Sequence, residues 1–332
     1  RGGRGSYGRH RSHGSHGSLA IAGTFIGTVI GAGFASGQET LRFFSAFGPT
    51  AFAGLTLATV LFIVVAVRVL SLGSALQMSS HRPLLDYAFG RRLGAVFDGL
   101  LAVVLLVTAI SMASGAAATM AEQFGWPRWL GAALMSVLSV VTVLGGLRGV
   151  VAAIASIAPA LIVAILVISV YSLGYGAPDT EVGMRAGVEA ALAWPGAPDL
   201  GAAPDWWLAA VLYVAYNMLL AVPVLAPLGA DAGGRGALWR GGMLGGVGLG
   251  LGATAIHLAV AAHLPGAAAL DIPMLAMART LPPWVAVLYA VLLLAEIYTT
   301  AVAMLFGFAA RFVDKGPSAF RLAALAGGVV AS

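Results

Sequence analysis

Cysteine is absent from this chain of 332 residues. Disulfides, thiolate nucleophiles and Cys-based metal sites are therefore excluded. Charge is also scarce: only 9% of residues are Asp, Glu, Lys or Arg, against 60% hydrophobic. A soluble domain has no use for that much apolar surface. Several catalytic signatures are missing as well. There is no Walker-type phosphate loop, which disfavours ATP-driven transport. Neither His-Glu-x-x-His nor Gly-x-Ser-x-Gly occurs, which disfavours an intramembrane enzyme. The N-terminal stretch does not read as a signal peptide, because no small-residue cleavage site follows a short apolar core.

What the chain has is repeated apolar runs of about 20 residues, the length of a membrane-crossing helix, and a mean hydropathy of +0.94. The reading is an all-α polytopic membrane protein in a lipid bilayer. Residues 1–18, RGGRGSYGRHRSHGSHGS, are low-complexity and basic. They are expected to be a disordered, solvated cytoplasmic tail. Arg-Gly repeats that bind RNA and chelation by His10, His13 and His16 are the weaker readings, and no nucleic-acid partner is expected. Residues 19–332 form the transmembrane part. The chain opens on Arg1 and closes on Ser332 inside an apolar run; both ends are expected to be incomplete.

The first span, about Leu19 to Phe47, is interrupted by GTVIGAGFASGQE from Gly27 to Glu39. Glycine weakens a helix by about 1 kcal/mol relative to alanine, and a carboxylate at membrane depth marks a candidate functional site. A small-residue packing face is the plain alternative. Spans 2 to 5 follow, near Pro49–Leu72, Leu93–Phe124 (with Ser111 and Ser114), a segment ending at Leu147, and Val150–Tyr175. A polar hairpin with His81, Arg82, Asp86, Arg91 and Arg92 separates spans 2 and 3. Span 6 begins at Trp206 and holds Tyr216, Asn217 and Pro223; the proline predicts a second interruption. Span 7 runs to His263, and the segment AALDIPMLAMARTLPP reads as a loop with a short helix. Span 8, Trp284 to Phe312, carries Glu296, Thr299 and Thr300, and span 9 starts near Phe320. His257 reads as a satisfied core residue.

With the N-terminus inside, every Lys and Arg falls on the inner side except Arg42, Arg128, Arg185 and Arg279. That asymmetry predicts a cytoplasmic N-terminus. Interrupted spans at positions 1 and 6 lie five apart, and an odd number of spans per copy inverts the second copy. The halves, about 19–175 and 205–332, are therefore expected to be inverted repeats with a site at the paired breaks. A tenth span would be expected beyond Ser332.

The run GTFIGTVIGAGFASGQE followed by LRFF resembles the first helix of the YkvI-like bacterial membrane proteins. DIPML and AEIYTTAVAMLFGF add to the likeness. That family lies within the amino acid–polyamine–organocation superfamily, so the resemblance implies the LeuT fold: five-plus-five inverted repeats with discontinuous helices 1 and 6. It implies a bacterial inner-membrane transporter of a small-molecule substrate, an amino acid or related zwitterion or amine, with no cofactor beyond Na+ or H+ as coupling ion. In sodium-coupled members the pattern at the first break would place backbone carbonyls of Gly27 and Ile30 on the ion. Amides around Gly31, Ala32 and Gly33 would meet a substrate carboxylate. Glu296, Thr299 and Thr300 match the carbonyl-and-two-hydroxyls spacing of span 8. Unwound carbonyls and hydroxyl oxygens suit a hard cation. Backbone hydrogen bonding is the plain alternative for the threonines. Glu39 and Glu296 depart from that pattern, and either carboxylate is a candidate proton carrier. Glu39, Ser111, Tyr216 and Asn217 complete the candidate substrate site. The loop from Asp271 to Met277 is expected to be an outer lid, with spans 1, 2, 6 and 7 rocking against 3, 4 and 8. A solute sensor on a transporter fold is the competing function.

Overall fold

A computed structural model describes residues 16–175, 184–264, 266–269, 273–279 and 281–331. The first span is three short helices: α1 (Ser18–Val29), α2 (Ala32–Ser36) and α3 (Gln38–Phe43). They are followed by α4 (Ala51–Ala75), α5 (Arg82–Phe124), α6 (Arg128–Leu144) and α7 (Gly146–Tyr175). A short helix, α8 (Met184–Ala193), precedes α9 (Trp206–Ala230) and α10 (Arg235–Ala262). The remainder is α11 (Pro273–Ala278), α12 (Pro283–Ala310) and α13 (Pro317–Ala331). Among the described residues there is no strand, and six helices are long and apolar enough to cross a membrane. α1, α6 and α13 are shorter apolar helices.

The helix contacts are symmetric under exchange of the two halves. α4 packs on α9, and α10 packs on α1; α6 meets α12, and α13 meets α5. The pairs α4–α10, α5–α12 and α6–α13 map onto themselves. Matching contacts of this kind are what an inverted repeat requires. Small residues make the closest crossing possible. A Cβ on Gly73 would overlap the Ala226 backbone, and one on Gly229 would overlap the Leu70 backbone. Without a hydrophobic driving force between helices in lipid, such backbone approach is a main source of association. Two buried apolar clusters result. The larger includes Phe25, Phe34, Phe44, Phe62 and Tyr213 across α1–α4 and α9; the other includes Leu105, Val143, Ile154 and Phe306.

Several expectations are corrected. α9 is one continuous helix through Pro223 and Pro227, so proline does not interrupt span 6 as it was expected to. Residues Pro223 to Gly229 are all buried, and tight neighbours can hold a proline-bearing helix together at membrane depth. The polar hairpin before span 3 is mostly helical: α5 starts at Arg82 and turns at Gly90, where φ is 75°. Its charges are gathered rather than dispersed. Buried Asp98 accepts from His81 Nε2 at 3.0 Å, Arg82 at 3.2 Å and Arg311 at 2.6 Å. The tail is not free to residue 18 either, since His16 meets Asp231 at 3.3 Å and α1 begins at Ser18. His10, His13, Asp179, Glu181, Asp271 and Ile272 lie outside the described residues.

Candidate solute and ion site

The break in the first span is local and has two parts. At the end of α1, Ile30 (φ −69°, ψ 104°) and Gly31 (φ −109°, ψ −175°) are extended. After α2, Gly37 adopts φ 86°, ψ −6°, a left-handed conformation that only glycine takes without strain. The extended pair frees backbone carbonyls from the helical ladder.

α12 supplies the facing side chains. Glu296, Thr299 and Thr300 are all buried there. The Thr300 hydroxyl lies 3.5 Å from the Ile30 carbonyl oxygen. Thr299 donates within its own helix to the Glu296 carbonyl at 3.0 Å, and its hydroxyl is 3.3 Å from Glu296 Oε1. Glu296 Oε2 is buried with no hydrogen-bond partner. Two turns earlier on α12, buried Tyr289 donates to the Ala35 carbonyl of α2. Tyr289 was not singled out from the sequence. Its spacing from Glu296, on one face of an apolar helix, is the signal that could have found it. Of the sequence-predicted ion ligands, Ile30, Glu296, Thr299 and Thr300 therefore converge. Gly27 is buried at the end of α1, and its Cα faces Ile154 of α7, where a Cβ would come within 2.5 Å of that side chain.

A second group lies on the α9 side of the break. The carboxylate of Glu39 folds back against Gly33, in the space a Cβ there would occupy. Its Oε2 is buried without a hydrogen-bond partner. Tyr213 and Tyr216 lie within its electrostatic reach, with the Tyr216 hydroxyl close enough to interact with the carboxylate directly, while the Tyr213 hydroxyl is buried and unpartnered. Their rings pack with Phe43, at centroid separations of 5.2 and 5.7 Å, and Tyr213 stacks edge-on to Phe44 at 5.0 Å. Asn217 donates to the Tyr213 carbonyl at 2.9 Å, a bond within its own helix. Unpaired buried oxygens, Oε2 of each glutamate and the Tyr213 hydroxyl, are costly unless something else satisfies them.

Other candidates lie elsewhere. Ser111 and Ser114 are exposed on the outward face of α5, with Val104 and Val107, and do not reach the break. Nothing is described of the Ala32 side chain. His257 is a buried residue whose Nδ1 is 2.9 Å from Ser45 Oγ, and its ring packs edge-on against Phe52. Above the Glu39 cluster, a cavity of about 450 Å3 opens between Gln38, Arg42 and Phe43 on one side and Asp199, Gly201 and Ala268 on the other. Met274 of α11 lies against Gly37, so the short helix of the expected lid covers the left-handed turn.

An interrupted first helix facing a polar stretch of the eighth span, inside a bundle with exchange-symmetric contacts, defines a multi-pass membrane protein of the LeuT fold. Solved structures agree. A Na+-coupled sialic acid symporter, in a substrate-bound outward-open state, superposes with a TM-score of 0.73 at 12% identity, over 96% of this chain and 72% of that one. MhsT in complex with L-phenylalanine gives 0.65 at 18% identity, over 94% and 77%. A manganese transporter of Eremococcus coleocola gives 0.60 at 16%, over 95% and 68%. In sequence, the chain is similar to the uncharacterized membrane protein YkvI of Bacillus subtilis (strain 168), 27% identical over 86% of this chain and 78% of that protein. It is also similar to the uncharacterized protein YyaD of the same organism, 24% identical over 87% and 79%. No family model matches the sequence.

Proposed function

We propose that this chain is an ion-coupled secondary transporter of a small amino acid or amine, working by alternating access around the break at Ile30 to Gly37. The observation that carries this reading is the pair of carboxylates at one helix break, Glu39 and Glu296, each with a buried oxygen lacking a hydrogen-bond partner. Solute and coupling ion are the groups that would satisfy them. The Ile30 carbonyl with the Thr300 hydroxyl, and Thr299 beside them, are hard-oxygen donors suited to Na+. Coupling to Na+ in the sialic acid symporter of the same fold supports that choice. Glu296 and Glu39 are the alternative carriers if the ion is H+. Glu39 against Gly33 also places negative charge where a substrate carboxylate would otherwise dock, which favours a solute with an ammonium group. The bundle of α1, α4, α9 and α10 would rock against α5, α6 and α12. The protein would lie in a bacterial inner membrane with its N-terminus in the cytoplasm, in two repeats of about 19–175 and 205–332.

The test is a thermal-stability screen of the purified protein with amino acids and polyamines, in Na+ or choline, at two pH values. A ligand at 100 times its dissociation constant should stabilise by about 2.7 kcal/mol. A response that needs Na+ and disappears in Thr300→Ala supports sodium coupling. A response independent of Na+ that follows pH, and whose pH dependence vanishes in Glu296→Gln or Glu39→Gln, supports protons. No response from any amino acid or amine would contradict the substrate class.

A further inference from the structure

We propose that the groove between the C-terminal end of α4 and the N-terminal end of α10 binds the phosphate-bearing headgroup of an anionic phospholipid. The two helices pack closely where α10 offers glycine: Ile63 lies against Gly246, and Val67 against Gly242. One turn further on, α10 presents Leu238 and then Arg235, and the helices part around a cavity of about 440 Å3. Arg68, Ser71 and Ser74 line it from α4; Arg235, Leu238 and Trp239 line it from α10.

No carboxylate lines this cavity. Arg68 and Arg235 have no ion pair or hydrogen bond among the described residues. Asp231, the acidic group nearest Arg235 in the chain, is held by His16 at 3.3 Å. Arg68 stands about two turns inside the end of a membrane-crossing helix, where an unpaired guanidinium is costly. Two guanidinium forks and two hydroxyls around an open volume match the oxygens of a phosphate group. Leu238 and the exposed indole of Trp239 offer an apolar wall at the level where acyl chains meet headgroups. Basic pockets between membrane helices take anionic lipid headgroups. Both helices belong to the bundle proposed to rock, so lipid bound here would bear on that bundle.

The experiment uses the full chain in neutral detergent micelles, titrated with phosphatidylglycerol, phosphatidylcholine or inorganic phosphate. Thermal stabilisation and quenching of tryptophan by brominated lipid are the readouts. Phosphatidylglycerol should stabilise the protein and phosphatidylcholine should not. Apparent affinity for phosphatidylglycerol should fall about fivefold for Arg68→Gln or Arg235→Gln, and roughly 25-fold for both. Brominated phosphatidylglycerol should quench a component that Trp239→Phe removes, a readout that stands even if the double variant folds poorly. Equal effects of the two lipids, full phosphatidylglycerol binding by the double variant, or quenching unchanged by Trp239→Phe would overturn the proposal. Stabilisation by inorganic phosphate alone would assign the groove to a soluble phosphate and overturn the lipid.

Discussion

In the proposed transporter, Glu296 and Glu39 would hold two separate jobs, because they stand in different surroundings. Glu296 has Thr299 at its Oε1 and stands on the helix whose hydroxyls face Ile30. Glu39 lies against Gly33 and the tyrosines of α9. If Glu39 meets the ammonium of a solute, Glu39→Gln removes a charge-assisted contact of about 1.5–3 kcal/mol. Solute affinity measured by the thermal screen should then fall by at least tenfold, with Na+ dependence intact. Thr300→Ala should do the reverse, raising the Na+ concentration needed while leaving solute affinity at saturating Na+ unchanged. Tyr289→Phe removes a bond that ties α12 to α2, worth about 1 kcal/mol, and should lower the melting temperature without altering ion dependence. The two glutamates and two threonines were legible in the sequence because polar residues stand out in apolar spans. Tyr289 shares the helix face of Glu296 by its spacing, but only the folded chain shows that it reaches a carbonyl of α2. Ser111 looked alike in sequence but faces outward, and a one-residue shift around a helix turns a side chain by about 100°.

At the scale of elements, glycine does two different things here. In the first span it stops the helix: Gly37 holds φ 86°, and a Cβ there would come within 3.1 Å of Met274. Gly37→Ala should cost about 1–2 kcal/mol from the backbone alone, and should loosen α11, seen as faster hydrogen exchange in 273–278. Along α4, α9 and α10 glycine instead lets helices touch. Gly73→Val would drive a branched side chain into the Ala226 carbonyl and should cost at least ~1–3 kcal/mol as overpacking, read as lost thermal stability in detergent. The first break was legible because several glycines precede a carboxylate. The continuity of α9 was not, since a proline such as Pro223 within a span looks like a break until the neighbours that hold the helix are known.

Among the described residues the contacts repeat in two halves; the sequence pointed to that repeat through breaks expected in spans 1 and 6, five apart, of which only the first is a break in the fold. Orientation is open to direct measurement because the chain has no cysteine to remove. An impermeant maleimide applied to intact cells should label Arg279→Cys and leave Arg92→Cys unlabelled until the cells are broken. The opposite pattern would place the N-terminus outside.

The measurement that bears most directly on transport is counterflow in proteoliposomes. Vesicles are loaded with the unlabelled solute found in the thermal screen, and labelled solute is added outside. Transient accumulation of label that requires Na+ or a matching pH, and that Glu39→Gln abolishes, is the predicted result. Binding without any accumulation, under every ion condition tested, would contradict the transporter and leave a solute sensor built on the same fold.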